Sequence, residues 1–446
     1  MSSRRKIFVG LFALVVIAVG MYFFFQQRKG VSHLPNLSLR SEGSTASAEF
    51  VNAQKAVDNY REQIRKNPDV VKNYLELAQL FLQEGRVTGN NAEYIPKAQA
   101  LLDEAMKRET DNPEIIITRA SIAATLHHFK EAKELAEKAI TQNPRTAFYY
   151  GVLCDALVEL GEYDEAVKAC DKMVSIRPDL RSYSRVSYLR ELHGDLDGAI
   201  EAMKMAADAG VSGQENRAWV LYNLGMLYLN QNKLDTAEYI FKGILEERLR
   251  YPHAVAGLAR VNSVRQKYDE AIELYQQAIE VLNEPAFHEA LGEVYEVISN
   301  LSEAKKSYDT ALELYENEQK MGEDNAVEMA EFLAWHNRKL EDVLPMAQSA
   351  IQRRPSIHGY KVLALALYKN GKYTEAQEAI QQAMKLGTKD ASMYYLAGSI
   401  ADKLGNSEES NRFLTQALSI NPNFSLIHTA QRVVYDIVDE LSTVYT

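Results

Sequence analysis

The sequence predicts an all-α protein, a solenoid of about ten helical hairpins preceded by one transmembrane helix. Two observations carry this reading. Small residues recur at a spacing near 34 through most of the 446 residues, and an apolar run of 19 residues without a charge lies near the amino terminus. The composition is that of a folded chain, 46% hydrophobic and 25% charged, within the ordinary globular range.

The amino-terminal elements come first. Residues 1–6 carry Arg4, Arg5 and Lys6 and are followed by IFVGLFALVVIAVGMYFFF at residues 7–25, long enough at about 1.5 Å per residue to cross about 30 Å of hydrocarbon. The expectation is an uncleaved signal-anchor helix. A cleaved signal peptide is the competing reading, since Ala18 and Gly20 form a small-x-small site, but Tyr22 to Phe25 prolong the apolar run past a short h-region. No cysteine follows the run, which excludes a lipoprotein anchor. Arg4, Arg5 and Lys6 before the span outnumber Arg28 and Lys29 after it, which places residues 1–6 in the cytoplasm. The chain then reads as a single-pass protein of the bacterial inner membrane with its repeat domain in the periplasm. Residues 26–48, with Ser, Gly and Pro and no apolar stripe, read as a flexible linker.

From residue 49 to 422 the chain repeats. GEYDEAVKACDKMVSIRP, QKYDEAIELYQQAIEVLNEP and GKYTEAQEAIQQAMKLG share one frame. Its anchor is Ala56, Ala98, Ala132, Ala166, Ala199, Ala237, Ala271, Ala304, Val343, Ala376 and Ser410, at spacings of 33 to 42. Seven residues later stand Ala105, Ala139, Ala206, Ala278, Ala311, Ala350, Ala383 and Ala417, with Met173 and Ile244 as exceptions. Twelve before the anchor are Ala120, Cys154, Ser187, Gly225, Ala259, Gly292, Ala364 and Gly398. Small residues on two successive helices let them approach closely while large neighbours fill the flanks. The unit is a helical hairpin.

This frame resembles the tetratricopeptide repeat (TPR), through Leu221, Leu224, Gly225, Tyr228, Ala237 and Phe241 and again through Tyr360, Leu363, Ala364, Leu367, Ala376 and Ala383. The resemblance implies a right-handed superhelix whose first helices line a concave binding face. Arg119, Glu331, Val343 and Ser410 depart from the pattern, so those hairpins are expected to pack less tightly. Insertions at residues 86–94, 210–216 and 317–324 read as loops or helix extensions, and residues 423–446 as a C-terminal capping helix.

Charge and motifs bound the function. The net charge is −11, and with all five charges of residues 1–30 positive the remainder holds 45 basic against 61 acidic residues, a poor match to nucleic acid. No phosphate loop, G-x-G-x-x-G, H-E-x-x-H or C-x-x-C pair is present. The expectation is no enzyme, no cofactor and no metal site. Cys154 and Cys170 fall at neighbouring core positions of one hairpin and read as buried filler, with a disulfide as the alternative in an oxidising compartment.

Positions that the family turns inward give the candidate partner-binding residues Arg181, Arg185, Tyr188, Trp219, Tyr222, Asn223, Met226 and Arg260, together with His253. The next repeats offer an acidic stretch of Glu289, Glu293, Glu296 and Glu328 with Phe332, Trp335 and His336. Guanidinium groups and aromatic faces on successive helices can hold an extended peptide; the plainer reading is a solvated or packed helix face. A terminal-carboxylate clamp is incomplete, since Ile117, Ser121 and Val152 stand where its Lys and Asn belong. The expected function is a membrane-anchored scaffold or adaptor binding a protein or peptide partner in the concave groove, for envelope assembly or complex organisation. Two rivals remain open: a cytoplasm-facing adaptor for a membrane protease, and a carbohydrate-binding subunit of a polysaccharide synthesis or export machine.

Overall fold

The computed structural model describes residues 34–40 and 48–427. The described residues form 21 helices and no strand, in two compact units, Met1–Thr118 and Arg119–Thr446. No helix among them is long and apolar enough to cross a membrane. The longest, Leu301–Lys320, carries Glu303, Lys305, Lys306 and Asp309, charges that hydrocarbon would penalise. The localisation expected from the sequence, a single-pass inner-membrane protein with a periplasmic repeat domain, is corrected on this finding. Residues 1–33, with the expected span at 7–25, lie outside the described residues.

In the first unit α1 (Ala48–Lys66), α2 (Val71–Thr88) and α3 (Asn91–Met106) bury Val57, Ile64, Tyr74, Leu77, Phe81, Ala98 and Leu102. Residues 34–40, read from the sequence as part of a linker, are tied to this unit. The Ser38 amide donates to Tyr94 Oη at 3.2 Å, and Arg40 reaches both oxygens of Glu84 at 2.6 and 2.7 Å and Glu49 at 3.0 Å. The Arg40 and Glu84 side chains are 6% and 3% exposed. Either charge left alone there would be costly, so the pair orders the stretch.

The helix α4 (Pro113–Thr125) contains the boundary. The second unit then continues as α5 (Phe129–Gln142), α6 (Ala147–Glu159), α7 (Tyr163–Ile176), α8 (Leu180–Leu192), α9 (Leu196–Asp208), α10 (Glu215–Leu229), α11 (Leu234–Glu247), α12 (Pro252–Val264) and α13 (Tyr268–Val281), followed by α14 (Pro285–Val297), α15 (Leu301–Lys320), α16 (Ala326–Trp335), α17 (Leu340–Arg353), α18 (Ile357–Lys369), α19 (Tyr373–Ala383), α20 (Ala391–Lys403) and α21 (Ser407–Ile420). Even-numbered helices are the first of each hairpin. The repeating alanines explain the pairing: Ala166, Ala199, Ala237, Ala271 and Ala376 are fully buried, as are Ala206, Ala278, Ala311 and Ala383 seven residues on. At Gly292 an added Cβ would lie 2.5 Å from the Tyr308 ring.

The turn inside each hairpin is closed by one left-handed residue: His127, Gly161, Gly194, Asn232, Gln266, Ser299, Asn337, Gly371 or Gly405. The amide that follows reaches back to the preceding helix, as Glu162 to Leu157 O at 2.9 Å and Asn406 to Ala401 O at 2.9 Å, satisfying a carbonyl the helix end leaves unpaired. Between α16 and α17 the turn holds one residue more, with Lys339 also left-handed. This shifts the small place by one: Ala330, fully buried, occupies it, and Glu331 is freed to pair with Lys361 at 2.8 Å. Val343 and Ser410, two further departures from the repeat, are buried, and Arg119 is exposed.

Four of these turns meet the chain one solenoid turn further on. Leu126 O accepts from the Asp324 amide at 3.0 Å, and His127 Nδ1 lies 3.3 Å from Asp324 O. Tyr163 Oη meets the Ile357 amide at 2.6 Å. Thr388 Oγ1 donates to Leu192 O. Asn421 Nδ2 and Asn423 Nδ2 donate to Leu229 O and Asn232 Oδ1 at 3.4 and 3.0 Å. The side-chain partners are 191 to 197 residues apart. At Gly161 the positive φ and the approach both demand glycine, since a Cβ would stand 2.5 Å from Pro355 O. This seam packs successive solenoid turns of the second unit on one another and borders its concave face.

Residues 423–427, expected to begin a capping helix, are not helical. Residues 428–446 lie outside the described residues.

Candidate functional site on the concave face of the second unit

Helix spacing turns the same residues of each first helix inward, because positions three and four apart share a face. The eight candidates lie on three such helices: Arg181, Arg185 and Tyr188 on α8; Trp219, Tyr222, Asn223 and Met226 on α10; Arg260 on α12.

Two of the arginines tie neighbouring first helices together. Arg185 forks onto Asp155 of α6, Nη2 to Oδ2 at 2.5 Å and Nε to Oδ1 at 2.8 Å, and its Nη1 donates to Arg181 O at 3.0 Å. Arg260 Nη1 binds Glu293 of α14 at 2.8 Å. Arg260 and Glu293 thus join the basic and acidic stretches that the sequence separates. Arg181 sits over the Phe148 ring with its guanidinium carbon 5.7 Å from the centroid.

The aromatic candidates are arranged differently. Trp219 and Tyr222 lie 5.6 Å apart, and both rings meet His253 of α12 at 5.3 Å, which in turn meets Phe287 of α14 at 5.6 Å. Burial drives the His253 pKa down to about 4, so its imidazole is neutral and packs as an apolar ring. Met226 packs on the cluster formed by Phe241, Ile244, Ala254 and Val261. Asn223 turns its amide back onto Trp219 O at 2.8 Å. Tyr188 and Trp219 stay 43% and 45% exposed. Burial, with the charges of Glu159 and Glu191, nonetheless pushes the Tyr188 phenol up.

Further along, Glu289 of α14 meets His336 Nε2 at 2.9 Å, and burial raises the Glu289 carboxyl despite that partner. One ligand atom each from Glu289, Glu293 and His336 lie within 4.8 Å of one another, a set with the right donors for a divalent cation, although Arg260 already compensates Glu293. Phe332 is buried, and Glu328 is held by Arg354 at 2.5 Å. On α18, Lys361 joins Glu331 at 2.8 Å and Asp390 at 3.5 Å. Burial opposes ionisation of Glu331, but Lys361 and His358 hold it far below the usual carboxylate range. Cys154 and Cys170 are neighbouring, buried free thiols, and their mutual hydrogen bond and burial push the Cys154 thiol up.

Sequence reasoning missed Arg354, which bridges Glu159 across the seam at 2.5 Å as well as Glu328, and it missed residues 421–427, which enter the concave face. Neither has a periodic signal, since the Arg354–Glu159 and Arg260–Phe424 pairings join residues 195 and 164 positions apart.

Two family profiles match. The profile described as "Tetratricopeptide repeat" matches residues 222–281, 257–319 and 362–423, and that of the "Tetratricopeptide repeat protein 21 second ARM domain" matches residues 55–203. Among curated proteins, a TPR repeat-containing protein of Methanocaldococcus jannaschii is 24% identical over 39% of this chain, and the match spans 31% of that protein's length. The TPR repeat-containing protein YpiA of Bacillus subtilis is 22% identical over 63% of this chain and 73% of its own length. A crystal structure of a thermophilic TPR protein from Thermus thermophilus aligns with 42% of this chain and 98% of its own, at 22% identity and a TM-score of 0.36.

Proposed function

We propose that this tetratricopeptide-repeat protein is a non-enzymatic adaptor, and that the concave face of its second unit holds an extended peptide or helix of a protein partner to organise a complex. The observation that carries the reading is the exposure of Tyr188 and Trp219 on adjacent first helices, on a face where Arg185, Arg260, Glu289, Glu331 and Lys361 are all matched by neighbours. Large rings left open beside satisfied charges are the pattern of a binding anchor, which is worth about 2 kcal/mol or more when truncated at an interface. The Tyr222 and His253 rings pack against Trp219 at 5.6 and 5.3 Å.

The test is recovery of partners from the source cells with tagged full-length protein. Tyr188→Ala combined with Trp219→Ala is expected to lower recovery at least tenfold, while stability moves by under about 0.5 kcal/mol per exposed site. Equal recovery from the double variant and the wild type would overturn the concave-face reading.

A further inference from the structure

The segment that leaves the last hairpin does not continue away from the solenoid. Asn421 and Asn423 hydrogen-bond to Leu229 O and Asn232 Oδ1 at the end of α10. The chain then crosses onto the concave face, where Phe424 O accepts from Arg260 Nη2 at 3.1 Å. The Phe424 ring lies 5.3 Å from Tyr395 of α20, which is itself 6.4 Å from Trp335. Leu426 packs on the apolar cluster of α12 and α14 that includes Val255, Ala256, Phe287 and Leu291. Two local bonds shape the segment, Asn423 N to Asn421 Oδ1 at 2.9 Å and Ile427 N to Ser425 Oγ at 3.2 Å.

These contacts are those of a bound peptide: a backbone carbonyl on a guanidinium, an aromatic side chain on an aromatic wall, and an aliphatic side chain two residues later on an apolar floor. Arg260 is the pivot, because Glu293 fixes one arm of its fork and leaves Nη2 to read the carbonyl. We infer that residues 421–427 are a resident ligand of the concave face, and that the partner it takes is an unstructured protein segment of the same pattern, Asn-x-Asn-Phe-x-Leu, which must displace them. The inference rests on the adaptor reading above and adds to it the chemistry of the partner and a built-in competitor.

A tethered segment competes at an effective concentration in about the millimolar range, so the free site should be hidden in the intact protein. The experiment uses a fluorescent peptide with the sequence of residues 419–427 and the full-length chain. Phe424→Ala with Leu426→Ala is expected to bind it at least tenfold more tightly than the wild type, and adding Arg260→Ala should abolish the gain. Equal affinity for the two chains, with their melting curves intact, would overturn the inference.

A second measurement does not depend on weakening the segment. With Ser425→Cys, excess peptide should raise the thiol labelling rate several-fold, since Cys154 and Cys170 are buried; an unchanged rate would overturn displacement. If the Tyr188 and Trp219 variant loses its cellular partner while these peptide assays fail, the adaptor reading stands and this inference falls. If partner recovery is insensitive to both sets of substitutions, the adaptor reading itself has failed.

Discussion

Tyr163 Oη accepts the backbone amide of Ile357, 194 residues further along the chain, at 2.6 Å. Ile357 is the first residue of α18, where a helix leaves its amide without an internal partner, and Tyr163 opens α7. One hydrogen bond thus caps a helix and joins two turns of the solenoid. Burial pushes the Tyr163 phenol up to about 12, so it stays protonated through the working range.

Tyr163→Phe should therefore cost about 1–2 kcal/mol, the usual penalty for a buried donor left unpaired. Chemical denaturation measures the loss. Amide exchange at Ile357 should quicken far more than at the alanines inside α19, because the seam opens before the hairpins do.

Arg354 is the second clasp of the seam, joined to Glu159 and Glu328 at 2.5 Å each, with side chains 12%, 16% and 28% exposed. Removing it leaves two partly buried carboxylates without a counter-ion. Arg354→Ala is expected to cost about 2–4 kcal/mol, and Arg354→Lys to restore only part, since one ammonium cannot fork onto two partners. A melting temperature unchanged in both variants would contradict the bridging role.

Two glycines of the second unit should respond in opposite directions to alanine. At Gly292 the new methyl would lie 2.5 Å from Tyr308 Cε1, and that ring is pinned by its bond to Glu296 at 2.9 Å, so Gly292→Ala should cost about 1–3 kcal/mol by overpacking. At Gly243 nothing lies within 4 Å, and Gly243→Ala inside α11 should stabilise by up to about 1 kcal/mol through helix propensity. Denaturant midpoints of the two variants on either side of the wild type are the expected result.

Glu191 near the end of α8 gives a pH dependence. Burial and then the charge of Asp390 push its pKa up to about 7, above the unfolded value of about 4.3. The folded state holds the proton longer than the unfolded state, so the stability it contributes is complete below about pH 4.3 and is lost as pH rises through 7. Water reaches part of the side chain, so the change is on the order of 1 kcal/mol. Glu191→Gln should flatten stability against pH across that window and leave the protein more stable than wild type at pH 8; a slope unchanged by the substitution would assign the titration elsewhere.

Much of the fold was legible because it is local. The recurrence of Ala166 with Met173, or Ala271 with Ala278, reports which faces of two consecutive helices touch, and that contact lies within one repeat. The extra residue at Lys339 hid the true small position, Ala330, because a spacing counted from the anchor cannot see a lengthened turn. Inward-facing positions could be placed by the same periodicity, but not their state. Arg185 and Arg260 stand in sequence as free cations, while in the structure Asp155 and Glu293, each about one repeat away, neutralise them.

The hairpins and the small-residue contacts inside them follow from the chain alone, since each rests on a pattern that closes within about 34 residues. The seam, the ion pairs that satisfy the concave face and the return of Phe424 to Arg260 arise only in the folded protein. Those contacts include a side-chain bond between residues 197 positions apart. Small rotations accumulated from repeat to repeat bring them together, and no single repeat encodes that sum.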